Sequence, residues 1–172
     1  MNKAIFWDWT GTLADESELD KGFCLSIEEA ITQKRKIQLK SAEKLYRDLL
    51  KSVEKTWKWH DYIWQCEHFG IEWKPLLRKN LPKLVVLPYA KQILELAREK
   101  GYKNILTTNA VTGIINERLA HSGLSKLFDL VITSDDVSAL KSSGKHYELG
   151  IKKLNIKVRQ SFSIGDSQIQ DV

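Results

Sequence analysis

Ile5-Phe6-Trp7-Asp8-Trp9-Thr10-Gly11-Thr12-Leu13 is the stretch that decides the fold. An apolar run ends in an aspartate, and a Gly-Thr turn follows at once. Residues 4–8 therefore read as a buried strand whose last side chain is a carboxylate. An acid there adds little to stability, but open α/β sheets bind their ligands just outside the carboxyl ends of the strands. Asp8 is accordingly the first candidate functional residue.

Outward from this strand the hydrophobic period changes. From about residue 16 to 82 the pattern is helical. Phe23, Ile27 and Ile31 recur at i, i+4 and i+8, and Leu45, Leu49, Val53 and Trp57 repeat the spacing, with Leu50 widening the stripe. A third segment carries Ile63, Cys66 and Phe69 and ends at Gly70; Pro75 and Pro82 frame a short helical stretch over Leu76–Leu81. After Pro88 helices and strands alternate. Helices are predicted at 90–100, 113–122 and about 145–154, and strands at 104–108, 129–133 and 162–165. This alternation predicts a parallel sheet with helices on both faces. The helical stretch after the first strand is too long for one crossover, so it is expected to form an inserted subdomain. The division is residues 1–15 and 83–172 for an α/β core and 16–82 for an all-helical insert. The acidic loop after the last predicted strand stops at Val172, where a parallel sheet would be expected to continue with a helix and a further strand.

The 172 residues suffice for one domain with a small insert, and 42% hydrophobic with 28% charged residues is ordinary globular composition. No apolar run reaches the ~20 residues that span a bilayer, and the first residues do not read as a signal peptide. Two cysteines, Cys24 and Cys66, cannot make a disulfide framework, which points to the cytoplasm. The net charge of +5 is spread along the chain among acids. It reads as a solvated surface that attracts phosphorylated metabolites rather than as a nucleic-acid footprint.

Polar residues follow each predicted strand of the parallel sheet: Asp8, Thr108-Asn109, the Lys141 region, and Asp166 with Asp171. In a parallel sheet all four sets meet at one edge. Three carboxylates brought together repel unless a cation sits among them, and Mg²⁺ accepts a few carboxylates together with a phosphate oxygen. A nearby lysine offsets the remaining negative charge.

These residues also resemble, in order, the four motifs of the haloacid dehalogenase superfamily: Asp8-Trp9-Thr10-Gly11-Thr12, then Thr107-Thr108-Asn109, then Lys141 at the end of Thr133–Lys141, then Gly165-Asp166 with Asp171. Lys145 is a weaker match for the third motif. The resemblance covers the whole chain and implies a Rossmann-like core with a helical cap. It implies an Mg²⁺-dependent hydrolase of a small phosphorylated metabolite. Asp8 would take the phosphoryl group as an aspartyl-phosphate, and Thr108 would bind the transferring oxygens. Lys141 would stabilise Asp8 and the phosphate. Asp8, the Thr10 carbonyl and Asp166 would hold the metal, with Asp171 as a ligand or just behind one. Gly11, Thr12 and Asn109 would also bind substrate, and Trp9 would contact the cap or leaving group.

One position departs from the family pattern. Thr10 stands where relatives usually carry a second Asp that protonates the leaving group, and a threonine hydroxyl is a poor acid near neutral pH. General acid–base help is worth about 10²–10⁴-fold. A substrate with a good leaving group, an acid from elsewhere (Asp15, Glu16 or Glu18), or a long-lived phospho-enzyme would each accommodate Thr10. A weakened relative acting as a binding or regulatory protein, and a phosphonoacetaldehyde hydrolase-like carbon–phosphorus hydrolase, are the alternative readings. Trp57, Trp59, Trp64 and Trp73 in the insert read as core, and His60, Cys66 and His68 match no zinc spacing.

Overall fold

The computed structural model describes residues 3–169 and Asp171. Its main sheet has four parallel strands in the order β5-β4-β1-β6: β1 Lys3–Trp7, β4 Tyr102–Thr107, β5 Leu130–Ile132 and β6 Ser161–Ile164. β1 lies between β4 and β6, with Trp7 level with Leu106 on one side and Ile164 on the other. Being flanked on both sides, it is apolar almost throughout, as a central parallel strand requires. Its two neighbours carry Thr108 and Asp166 to the same edge as Asp8. Helices α5 Ala90–Glu99, α6 Thr112–Ser122, α7 Ser134–Val137 and α8 Lys145–Leu154 make the crossovers.

Between Asp15 and Val85 the chain is helical: α1 Ser17–Arg35, α2 Leu39–Val53, α3 Tyr62–His68 and α4 Trp73–Asn80, with short 3₁₀ turns between. Two strands not foreseen in the sequence bracket this block. β2 Ala14–Asp15 pairs antiparallel with β3 Val85–Val86. Two residues are too short for a hydrophobic alternation to show, and the pairing becomes visible only when the two ends of the block meet.

One continuous core joins the block to the sheet, from Phe23, Ile27 and Ile31 of α1 through Leu13 and Trp9 to Leu106, Ile114 and Leu94. A smaller cluster on the other sheet face gathers Phe6, Ile105, Ile132 and Ile156 under α8. There Gly150 lets α8 approach closely, since a Cβ on it would run into Phe6 and Ile132. The stripe expected on α2 is displaced: Ala42, Tyr46 and Leu49 are buried, while Leu45 is exposed. Tyr46 takes the inner position because its hydroxyl donates to Gln65 Oε1 at 2.7 Å, so a polar tip is satisfied inside the block. Asn104 is buried in the same way, accepting from Trp7 Nε1 at 3.0 Å and donating to the carbonyls of Leu94 and Leu127. Among the described residues no helix is long and apolar enough to cross a membrane.

Candidate active site

Asp8 follows β1 directly, and its N–H donates to the Ile164 carbonyl at 2.9 Å, which continues the ladder by one step and fixes the direction of its side chain. The chain then turns tightly. The Trp9 carbonyl accepts from the N–H groups of Leu13 and Ala14, and Gly11 adopts φ +77°, a left-handed conformation that suits glycine. A Cβ at Gly11 would also collide with the Asp166 carboxylate. Thr12 Oγ1 donates to Asp8 Oδ2 over a long 3.4 Å.

Lys141 reaches the same point from the loop after α7. Its ammonium bonds Asp8 Oδ1, and Asp171 Oδ1 at 2.5 Å, and is almost wholly enclosed. Asn109 holds this loop in place, because its Oδ1 accepts from the Lys141 backbone N–H at 2.8 Å. Thr108 N–H donates to the Ile132 carbonyl, and its Oγ1 caps the next turn at Ala110 N–H. Asp171 Oδ2 accepts from Ser167 N–H at 3.0 Å, and a side chain on Gly165 would displace it. Burial pushes the Asp8 carboxyl up, and Lys141 pulls it back. Burial also opposes the Lys141 ammonium, but Asp8 and Asp171 outweigh it, so the lysine is held charged.

Asp8, Asp166 and Asp171 each bring a carboxylate oxygen within 4.8 Å of the others. Three acids against one lysine leave two negative charges at this point. Hard oxygen donors with that excess fit a small divalent cation such as Mg²⁺.

A cavity of about 440 Å³ opens over these residues. Asp8, Thr10, Thr108, Asn109, Lys141 and Asp166 all border it. Trp9, expected to contact the cap or leaving group, is fully buried and does not border the cavity, but its Nε1 donates to Glu16 at the start of the helical block; Gly11 and Thr12 lie in the adjoining loop rather than on the wall. Lys145 is exposed at the start of α8, away from the cavity.

A second constellation on the wall was only partly visible in the sequence. Glu16 is buried beneath Thr10. Its Oε2 accepts from Thr10 Oγ1 at 2.7 Å, and its Oε1 accepts from Trp9 Nε1 at 2.7 Å and pairs with Arg118 Nη1 at 2.9 Å. Arg118 Nη2 pairs with Asp20 Oδ1 at 2.6 Å. Burial pushes Glu16 up, and Arg118 offsets it. The available sign for Arg118 was its place on the apolar face of α6 beside Ile114, Ile115 and Leu119, where an unpaired cation would be very costly. His60, Tyr62 and Trp59 of the helical block complete the wall. Burial, aided by the Lys141 charge, lowers His60 to about 4, so its imidazole is neutral near pH 7. The other block tryptophans, Trp57, Trp64 and Trp73, pack against the core.

A parallel α/β sheet with an acidic, lysine-bearing edge under a helical block defines a class of hydrolase, and the family comparison agrees. The model of the haloacid dehalogenase-like hydrolases matches residues 2–172, and the chain belongs to that family of enzymes. It is 26% identical over 184 residues to a glyceraldehyde 3-phosphate phosphatase of Methanothermobacter thermautotrophicus, covering 100% of this chain and 80% of the relative. It is 29% identical over 92 residues to a ribulose-1,5-bisphosphate 5-phosphatase of Halopiger xanaduensis, covering 54% of this chain and 38% of the relative. Among solved structures, a HAD phosphatase from Thermococcus onnurineus superposes with a TM-score of 0.87 at 29% identity, covering 99% of this chain and 80% of the other.

Proposed function

We propose that this hydrolase is a cytoplasmic, Mg²⁺-dependent phosphatase of small phosphorylated metabolites, working through a phospho-aspartate at Asp8. The observation that carries this reading is the contact of Asp8 with Lys141 inside a triad of acids at the floor of the cavity. Two relatives named as phosphatases of sugar phosphates support the substrate class. The free thiols of Cys24 and Cys66 support a reducing compartment.

In this account an Asp8 carboxylate oxygen attacks phosphorus. The bond from phosphorus to the leaving oxygen breaks, and the alcohol departs with a proton from solvent. Water then attacks phosphorus, the Asp8–phosphoryl bond breaks, and inorganic phosphate leaves. Lys141 balances charge on Asp8 and the phosphoryl group, and Thr108 and Asn109 are placed to hydrogen-bond its oxygens. Mg²⁺ held by Asp8, Asp166, Asp171 and the Thr10 carbonyl would neutralise phosphoryl charge. Residues 16–82 serve as a cap over residues 1–15 and 83–172, and limit solvent at the site to the water that the reaction uses.

A carbon–phosphorus hydrolase would require a lysine from the cap to form a Schiff base. The one lysine among the described residues bordering the cavity is Lys141, which favours ester hydrolysis.

The test is Mg²⁺-dependent phosphate release from p-nitrophenyl phosphate and acetyl phosphate by wild type and Asp8→Asn. Release that vanishes in the variant is expected. No release from a folded wild type would instead point to a binding or regulatory protein.

A further inference from the structure

The two constellations on the cavity wall differ in their free charge. At the floor, Lys141 faces the phosphoryl site. Beside it, Glu16, Asp20 and Arg118 form a closed network in which one cation serves two carboxylates. Arg118 borders the cavity with only 4% of its side chain exposed, and its charge is already shared between Glu16 and Asp20. Asp20, by contrast, keeps 35% of its side chain exposed. The neutral His60, Tyr62 and the half-open Trp59 add hydrogen-bonding and apolar surface but no positive charge. Apart from Arg118 and Lys141, the described residues bordering the cavity include no arginine or lysine.

We propose that this second constellation is a leaving-group subsite that admits phosphate monoesters of uncharged, hydroxyl-bearing alcohols and discriminates against esters carrying a second anionic group. The inference rests on the phosphatase reading above and deepens it. A carboxylate or second phosphate placed there meets a cation already shared by two carboxylates and faces the part-exposed carboxylate of Asp20. Like charges at close range repel. A hydroxyl can donate to Asp20 and lie against Trp59 at little cost.

Glycerol 3-phosphate and 3-phosphoglycerate test this directly, since they share a three-carbon backbone and differ in a hydroxymethyl group against a carboxylate. Each is measured as a competitor of p-nitrophenyl phosphate hydrolysis, so the readout does not need either to turn over. Glycerol 3-phosphate should compete about tenfold or more better, and the ratio should fall severalfold in Asp20→Asn, where the repelling charge is gone. Should Asp20→Asn not fold, the ratio in wild type should narrow as salt rises, because half-exposed charges are screened. Equal or better competition by 3-phosphoglycerate would overturn the inference. So would a ratio indifferent to both Asp20→Asn and salt, or no competition by either compound. Hydrolysis of p-nitrophenyl phosphate itself reports separately on the phosphatase reading.

Discussion

Thr10 Oγ1 donates to Glu16 Oε2 at 2.7 Å, a bond that an aspartate at position 10 could not make with an ionised Glu16. An Asp at position 10 would set its carboxylate against that of Glu16, which Trp9 Nε1 and Arg118 hold in place. Thr10→Asp alone is therefore expected to gain little on alkyl phosphates. Thr10→Asp combined with Glu16→Gln should exceed either single variant in kcat/KM, with a positive interaction in the double-mutant cycle. A full gain from Thr10→Asp alone would show that the two positions are uncoupled.

Leaving-group chemistry should dominate the rates. With its proton committed to Glu16, the Thr10 hydroxyl does not supply an acid. Acetyl phosphate and p-nitrophenyl phosphate should then outpace alkyl phosphates by about 10²–10⁴-fold in kcat/KM, the usual worth of general acid help. A flat dependence of log kcat/KM on leaving-group pKa would reveal a proton donor elsewhere on the wall.

Lys141 is expected to matter for stability as much as for rate. Lys141→Met would leave the buried Asp8 and Asp171 facing each other without their shared cation. Breaking a buried pair from one side costs about 3–5 kcal/mol. Urea unfolding should show that loss, and added Mg²⁺ should recover part of it by taking over the acids. Near-wild-type stability without metal would mean that the ammonium is not needed to hold the acids together.

Arg118 ties the helical block to the core, since Glu16 and Asp20 lie at or near the start of α1 and Arg118 lies on α6. Arg118→Leu should destabilise by about 3–5 kcal/mol, because two carboxylates lose the cation they share. Glu16→Gln should cost less, as the amide oxygen still accepts from Trp9. Unfolding curves for the two variants give the order directly.

The parallel sheet was legible in the sequence because apolar runs, polar strand ends and glycine stops recur at regular spacing. Asp8, Thr108, Asn109, Lys141, Asp166 and Asp171 could be picked out for the same reason, as each follows a strand. What pattern could not show is where a side chain turns within a loop. Trp9 stands between Asp8 and Thr10 in sequence, yet its ring is buried in the core. Nor does periodicity register a polar tip that finds a partner inside, and so Leu45 was expected to be buried where Tyr46 is. Glu16 and Arg118 are 102 residues apart, and their pairing is set by the meeting of α1 and α6, which no local pattern encodes.

The central claim is the covalent step at Asp8, and trapping it is the most direct measurement. The enzyme would be mixed with acetyl phosphate and Mg²⁺, quenched with borohydride, and its peptides weighed. An aspartyl-phosphate is reduced to homoserine, so the account predicts homoserine at position 8 in wild type during turnover and none without substrate. Sustained phosphate release with Asp8 recovered wholly as aspartate would contradict it.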